Sequence, residues 1–175
     1  MSRAGPEIVE RDTVGRMSKV RLKIGAIVLS TLALTGCGLQ VPADPEGTLD
    51  RVSDGVMGVG VTEHAPWVEL DSSGEPSGTE PALVEAFAEQ LDADVEWTAG
   101  SEAVLLDALD RGELDLVIGG FLDDTPWAED GAITRPYRDV DGDDGVERHV
   151  MIVRMGENGF LVSLERFLHD EADGS

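Results

Sequence analysis

The sequence predicts an α/β fold, a mostly parallel sheet with helices on both faces. Three observations carry that expectation. Short valine-rich runs alternate with longer segments whose apolar residues recur at helical spacing, the order of strand–helix–strand units. Capping signals stand where the helices would begin and end. The 139 residues from Cys37 onward suffice for one domain with its own core.

The elements follow in order. "TLDRVSDG" (48–55) reads as a short helical turn capped by Thr48. "VMGVGV" (56–61) is mostly apolar without polar alternation, as in a strand covered on both faces. Residues 63–78 form a long loop or hairpin, with Ser-Gly and Pro as turn signals. "TEPALVEAFAEQLDA" (79–93) is a helix with Thr79 as N-cap, Pro81 near the first turn, and Leu83, Phe87 and Leu91 on one face. "DVEWT" (94–98) alternates like a strand.

"SEAVLLDALDRG" (101–112) is a second helix, capped by Ser101, with Leu105 and Leu109 sharing a face and Gly112 ending it. "ELDLVIGGF" (113–121) is a third strand with paired glycines at its end. "TPWAED" opens a helical turn at Thr125 and Pro126, and "AITRPY" (132–137) is a short strand. "RDVDGDDGVE" (138–147) reads as a polar loop and "RHVMIVRMG" (148–156) as the last strand. "ENGFLVSLERFLHDEA" (157–172) is a helix whose stripe is Phe160, Leu161, Leu164, Phe167 and Leu168.

The amino-terminal segment has another character. Arg16, Lys19, Arg21 and Lys23 precede an apolar run from Ile24 to Leu34, which ends at Leu34-Thr35-Gly36-Cys37. A basic flank, a short apolar run and small residues before a cut site describe a secretory signal peptide over residues 1–36, with Met17 as an alternative start. The run is short for a spanning helix, which needs about 20 apolar residues. The alternative is a buried helix with an incidental cysteine. Residues 37–47, with two prolines and no periodicity, read as a tether, and 48–172 as the folded lobe. No second hydrophobic stretch is long enough to span a membrane.

Charge excludes some partners. The chain holds 36 acids and 13 bases; beyond residue 36 these become 33 acids against seven arginines. Nucleic acid and anionic head groups would be repelled. Either the acids form a solvated surface suited to high salt, or they attract cationic ligands or metal ions.

In a sheet of this kind ligands sit beyond the carboxyl ends of the strands. That edge would collect Trp67, Gly119, Gly120, Phe121, Asp123, Asp124 and Trp127. The glycines let a ligand approach the backbone, and the helical turn at Thr125 offers free N–H groups. The tryptophans have an alternative as packing residues, and the aspartates as caps or solvated loop charges. "DVDGDDG" (139–145) has Asp139, Asp141 and Asp143 at calcium-loop spacing. Asp144 stands where the loop needs Gly and Val150 where it needs Glu, so no metal is expected. His64, His149 and His169 lie far apart, no nucleophile or phosphate-loop motif is present, and no enzyme or cofactor is expected.

Leu-Thr-Gly-Cys resembles the lipobox of bacterial lipoproteins, which implies lipidation at Cys37 and cleavage before it. The run from Val56 to Tyr137 resembles the first lobe of bacterial extracellular solute-binding proteins of family 3. The matching pieces are Val-Gly-Val before Pro66-Trp67, Gly78 opening the first helix, "LLDALDRGELDLVIGG" and Pro136-Tyr137. "HVMIVRMGENGFLVSLERFL" resembles the segment where such chains return to that lobe. The resemblance implies a periplasmic-binding-protein-like lobe, anchored outside the membrane by lipid and serving an ABC transporter for amino acids or related small polar solutes. Its ligand-binding residues would be Trp67, Gly120, Phe121, Asp124 and Trp127.

The chain departs from the family pattern. Such proteins have two lobes, yet only residues 138–148 separate Tyr137 from His149, so a one-lobe variant is expected. Trp127 stands where the family's carboxylate-gripping Arg belongs, Asp124 where its Thr belongs, and Ala82 replaces an acid two places after Glu80. Trp67 and Trp127 could face a quaternary ammonium, with Asp124 as counter-charge. Expected partners are a small polar, cationic solute and a transporter permease or another membrane protein. The alternative is a solute-binding fold that acts as a protein-interaction module at the membrane.

Overall fold

The computed structural model describes residues 44–142 and 145–174; the signal segment, Cys37 and the tether as far as residue 43 lie outside it. The elements are α1 (Thr48–Val52), β1 (Val56–Val61), β2 (Glu69–Leu70), β3 (Pro76–Ser77), α2 (Thr79–Gln90), β4 (Asp94–Ala99), α3 (Glu102–Asp110), β5 (Leu116–Ile118), a 3-10 turn (Pro126–Glu129), β6 (Ala132–Ile133), β7 (Arg138–Gly142), β8 (Gly145–His149), β9 (Ile152–Val153) and α4 (Asn158–Gly174).

Five strands form the main sheet in the order β4-β1-β5-β9-β6. β1 pairs in parallel with β4 and β5, through registers such as Val59↔Trp97 and Val59↔Leu116. β9 runs antiparallel between β5 and β6, so the other four strands point one way. This is the expected α/β lobe. β2 pairs with β3 in the region read as a loop or hairpin.

Burial explains the apolar runs. Along β5, Leu116 and Ile118 join one core cluster while Val117 joins the other; Met151 and Val153 alternate with Val150 and Ile152 in the same way. The two faces are covered by different helices. Phe87 of α2 meets Phe160 and Phe167 of α4 on one face, at ring separations of 5.8 and 5.4 Å. Leu105 and Leu109 of α3 fill the other. A Cβ on Gly60 would lie 2.9 Å from a Leu114 methyl and 3.1 Å from one of Leu105, so this glycine lets α3 pack close to β1.

The helix starts shift by one residue from two expectations. The N-caps are Gly47 for α1 and Gly78 for α2, with Thr48 and Thr79 as the first helical residues. Ser101 and Thr125 are caps as expected, and the Thr125 side chain accepts from Trp127 N–H.

The polar loop expected over 138–147 is instead a ribbon. β7 and β8 pair antiparallel from Arg138↔His149 to Gly142↔Gly145. The run reads as a loop because its strand residues are mostly charged and exposed, leaving no apolar alternation to see. The last expected strand splits accordingly, giving Arg148 and His149 to β8 and Ile152 and Val153 to β9.

The last residues of the segment expected as a tether are instead clasped at the amino edge. The Asp44 carboxylate accepts from Leu49 N–H and, at 3.1 and 3.2 Å, from Gly159 and Phe160 N–H. The Glu157 carboxylate accepts from Glu46 and Thr48 N–H, both at 3.1 Å. Each carboxylate thus caps orphan donors at the start of a helix. Among the described residues no helix is long and apolar enough to cross a membrane.

Candidate functional site

Three segments meet at the carboxyl edge of the sheet. Thr62 N–H donates to Ile118 O at 3.1 Å, joining the loop after β1 to the end of β5. Gly100 N–H donates to Val61 O at 3.0 Å, joining the entry of α3 to β1. Trp127 Nε1–H donates to Glu102 Oε2 at 2.6 Å, tying the loop after β5 to the first turn of α3.

Glu80 is the hub beneath this edge. It sits in the first turn of α2 and is fully buried. Its Oε2 accepts from Gly119 and Gly120 N–H at 2.8 and 2.9 Å, and its Oε1 accepts from Tyr137 O–H at 2.7 Å. Burial pushes the carboxyl above its usual range, opposed by the hydrogen bonds from Gly120, Tyr137 and Gly119 and by nearby His64. Burial and the Glu80 charge push the Tyr137 phenol up, so it stays a donor.

Trp67 lies over that hub. Gly120 has φ +65°, and a Cβ there would come within 2.9 Å of Trp67 Cδ1 and 3.1 Å of His64 Cγ. The indole meets His149 at 3.7 Å between ring centroids with 32° between planes, and Tyr137 edge-on at 6.5 Å. His149 is 1% exposed, and neither ring nitrogen has a hydrogen-bond partner. Burial pushes its imidazole below 6.5.

The residues expected at the site divide into groups. Trp67 and Gly120 touch each other. Trp127 is half-buried against the α3-side core and bonded to Glu102. Phe121 is 5% exposed, in the core cluster with Leu105, Leu109 and Val150. Asp124 is exposed and lines a groove of about 320 Å³ between residues 122–124 and β8 residues 145–148. Within it Arg148 pairs with Asp123 at 3.3 Å, leaving Asp124 and Glu147 as further carboxylates. The aromatic contacts of Trp67 are with His149 and Tyr137 rather than with Trp127. Cys37 lies outside the described residues.

Sequence reasoning did not single out Tyr137, His149 or Glu102 as site residues, and placed Glu80 only through the family pattern of its helix start. A first-turn acid ordinarily faces solvent and complements the helix dipole. The local signal that could have marked Glu80 is its position after Gly78 and beside Pro81. Among the described residues no group of three or more His, Cys, Asp or Glu side chains converges on a metal position.

Comparison with known proteins places this arrangement. The model of bacterial extracellular solute-binding proteins, family 3, matches residues 57–170. The arginine-bound form of domain 1 from TmArgBP, of T. maritima, superposes with a TM-score of 0.61 at 21% identity, over 69% of this chain and 97% of that one. The L-cystine solute receptor of Neisseria gonorrhoeae, unliganded and open, superposes with a TM-score of 0.59 at 16% identity, over 73% of this chain and 92% of that one. At these identities the likeness is one of fold. Membrane-bound lytic murein transglycosylase F of Aliivibrio fischeri is 31% identical over 106 residues, 59% of this chain. The chain spans only 21% of that curated relative.

Proposed function

Since the chain belongs to the bacterial extracellular solute-binding proteins, family 3, we propose that it captures a small, cationic polar solute at the carboxyl edge of a single lobe. The observation that carries this reading is the edge itself. Gly120, held from below by Glu80, lies against Trp67, and the adjoining groove carries Asp123, Asp124 and Glu147 against Arg148 alone. One arginine among three carboxylates favours a positive guest. Trp67 and Trp127, both half-buried at this edge, are the rings a cation would meet, and cation–π attraction is worth about 0.5–1 kcal/mol at exposed sites.

A single lobe follows from the chain between Tyr137 and Val150, where the β7–β8 ribbon takes up the residues available for a second lobe. The T. maritima neighbour is domain 1 of its protein in an arginine-bound form, which supports capture by one lobe. The lipobox-like run ending at Cys37 supports a lipidated anchor on the extracytoplasmic side. Membership of the family supports an ABC transporter as the destination of the solute.

Titration calorimetry of the full chain in detergent with arginine, lysine, glycine betaine and a neutral amino acid tests this. The expected result is heat with the cationic solutes that weakens in Trp67→Ala, Trp127→Ala and Asp124→Asn. Heat with none, or equal heat in all three variants, overturns it. A second reading, docking of a membrane protein partner on the ribbon, is favoured by the exposure of Val140 and Val146. That reading predicts no solute heat.

A further inference from the structure

His149 has no part in solute capture as described. Yet among the described residues it alone carries buried side-chain polar atoms without a hydrogen-bond partner, and both of its ring nitrogens are so placed. Such orphans are rare in folded proteins and ask for an explanation. The placement of this one suggests its role. His149 ends β8, opposite Arg138, and its carbonyl accepts from Tyr137 N–H at 3.0 Å. It forms a bridge with Leu122, next to the loop that holds Gly120. Its ring meets the Trp67 indole at 3.7 Å. One residue therefore joins the root of the ribbon to the aromatic face of the candidate site.

We propose that His149 positions Trp67 over Gly120 while its imidazole is neutral and releases the indole on taking up a proton, which makes the binding edge proton-sensitive. The inference rests on the reading of Trp67 as a solute contact. The charges around the ring decide the direction. Glu147, on the same strand with its carboxylate 3.9 Å from Nε2, favours the proton, as does the Gly120 backbone beside the ring. Arg138 across the ribbon and His64 from the loop after β1 oppose it. From the loop after β5, Asp123 is engaged by Arg148, and behind Tyr137 Glu80 is held by its three donors.

An imidazolium here would be buried with no anion at hydrogen-bond distance. Attraction to the indole face offsets only part of that cost. The charged ring lowers its energy by moving toward Glu147 and water, which takes it out of the stack. Burial holds the imidazole below 6.5. The neutral, stacked arrangement is therefore fully present above pH 6.5 and is lost as pH falls below 6.5 through the lowered value.

The test reads Trp67 directly and needs no solute. The full chain in detergent micelles, with Trp97→Phe and Trp127→Phe leaving Trp67 as the single emitter, is titrated from about pH 8 to about pH 4.5. One emission transition with a midpoint below 6.5 is expected. It should survive His64→Asn and His169→Asn. It should vanish in His149→Phe, which keeps a ring against Trp67 but carries no proton. In the chain with all three tryptophans, arginine affinity should fall severalfold over the same interval, and His149→Phe should flatten that profile. Persistence of the transition in His149→Phe, or its absence in the parent, overturns the proposal. If His149→Phe fails to fold, the imidazole of the parent followed by NMR decides: titration at or above 6.5 overturns it. A Trp67 transition as stated, with arginine bound at no pH, supports the His149 device and overturns only the solute reading.

Discussion

Replacing Glu80 by alanine and by glutamine separates the geometry of the hub from its charge. The carboxylate satisfies three buried donors, Gly119 N–H, Gly120 N–H and Tyr137 O–H, at 2.7 to 2.9 Å. Glu80→Ala leaves all three unpaired. Each buried donor left without a partner costs about 1–3 kcal/mol, so the loss should be roughly 3–6 kcal/mol after partial relaxation. Glu80→Gln behaves differently. Its amide oxygen can accept from both glycines, while its NH2 donates to a Tyr137 oxygen whose hydrogen rotates away. Burial already pushes the Glu80 carboxyl up, disfavouring the charged form, so removing the charge sacrifices little. Glu80→Gln should lie within about 1.5 kcal/mol of the parent. Urea denaturation followed by circular dichroism measures both values, and the slope checks that unfolding stays two-state. Equal losses for the two variants, or an alanine variant as stable as the parent, would refute the view of Glu80 as a hydrogen-bonded hub.

Two further outcomes are expected. Gly120→Ala places a Cβ 2.9 Å from Trp67 Cδ1 at φ +65°. It should cost about 1–3 kcal/mol in thermal melts, from the left-handed backbone alone, and shift the Trp67 emission. At the amino edge, burial pushes the Glu157 carboxyl up, but hydrogen bonds from Thr48 and Glu46 bring it below the usual 4.5. Its stabilisation is therefore full above pH 4.5 and lost as pH falls below that through the lowered value. Glu157→Gln, with one acceptor for two backbone donors, should cost about 1 kcal/mol near neutral pH. It should also flatten the acid limb of a stability–pH curve, and an unchanged limb would count against the clasp.

The helices were legible because their signals are local. Leu105 and Leu109 lie one turn apart and both face the core. Pro126 sits directly after the cap Thr125 and inside the turn it opens. The strands β1 and β5 were legible as apolar runs because both faces of the sheet are covered. The ribbon was not, because two exposed, charged strands carry no pattern distinguishable from a loop. Its pairing shows only in the register of Asp139 with Arg148 and Val140 with Glu147. The candidate site was legible in part. Trp67 and Gly120 follow from their place after strands, whereas Phe121 reads the same in sequence whether its ring faces a ligand or α3.

By itself the amino-acid sequence determined the alternation of strands and helices, the acidic surface, and the single lobe implied by eleven residues where a second lobe would need far more. Those properties depend on neighbours a few positions apart or on chain length. The tertiary structure alone decided that Glu80 is a buried hub, since its partners lie 39, 40 and 57 residues away. It alone put His149 against Trp67, 82 positions earlier in the chain. A side chain's local sequence sets its intrinsic preferences. Whether it ends in water, in a core or against another ring is settled by which distant segments the folded sheet brings to the same edge.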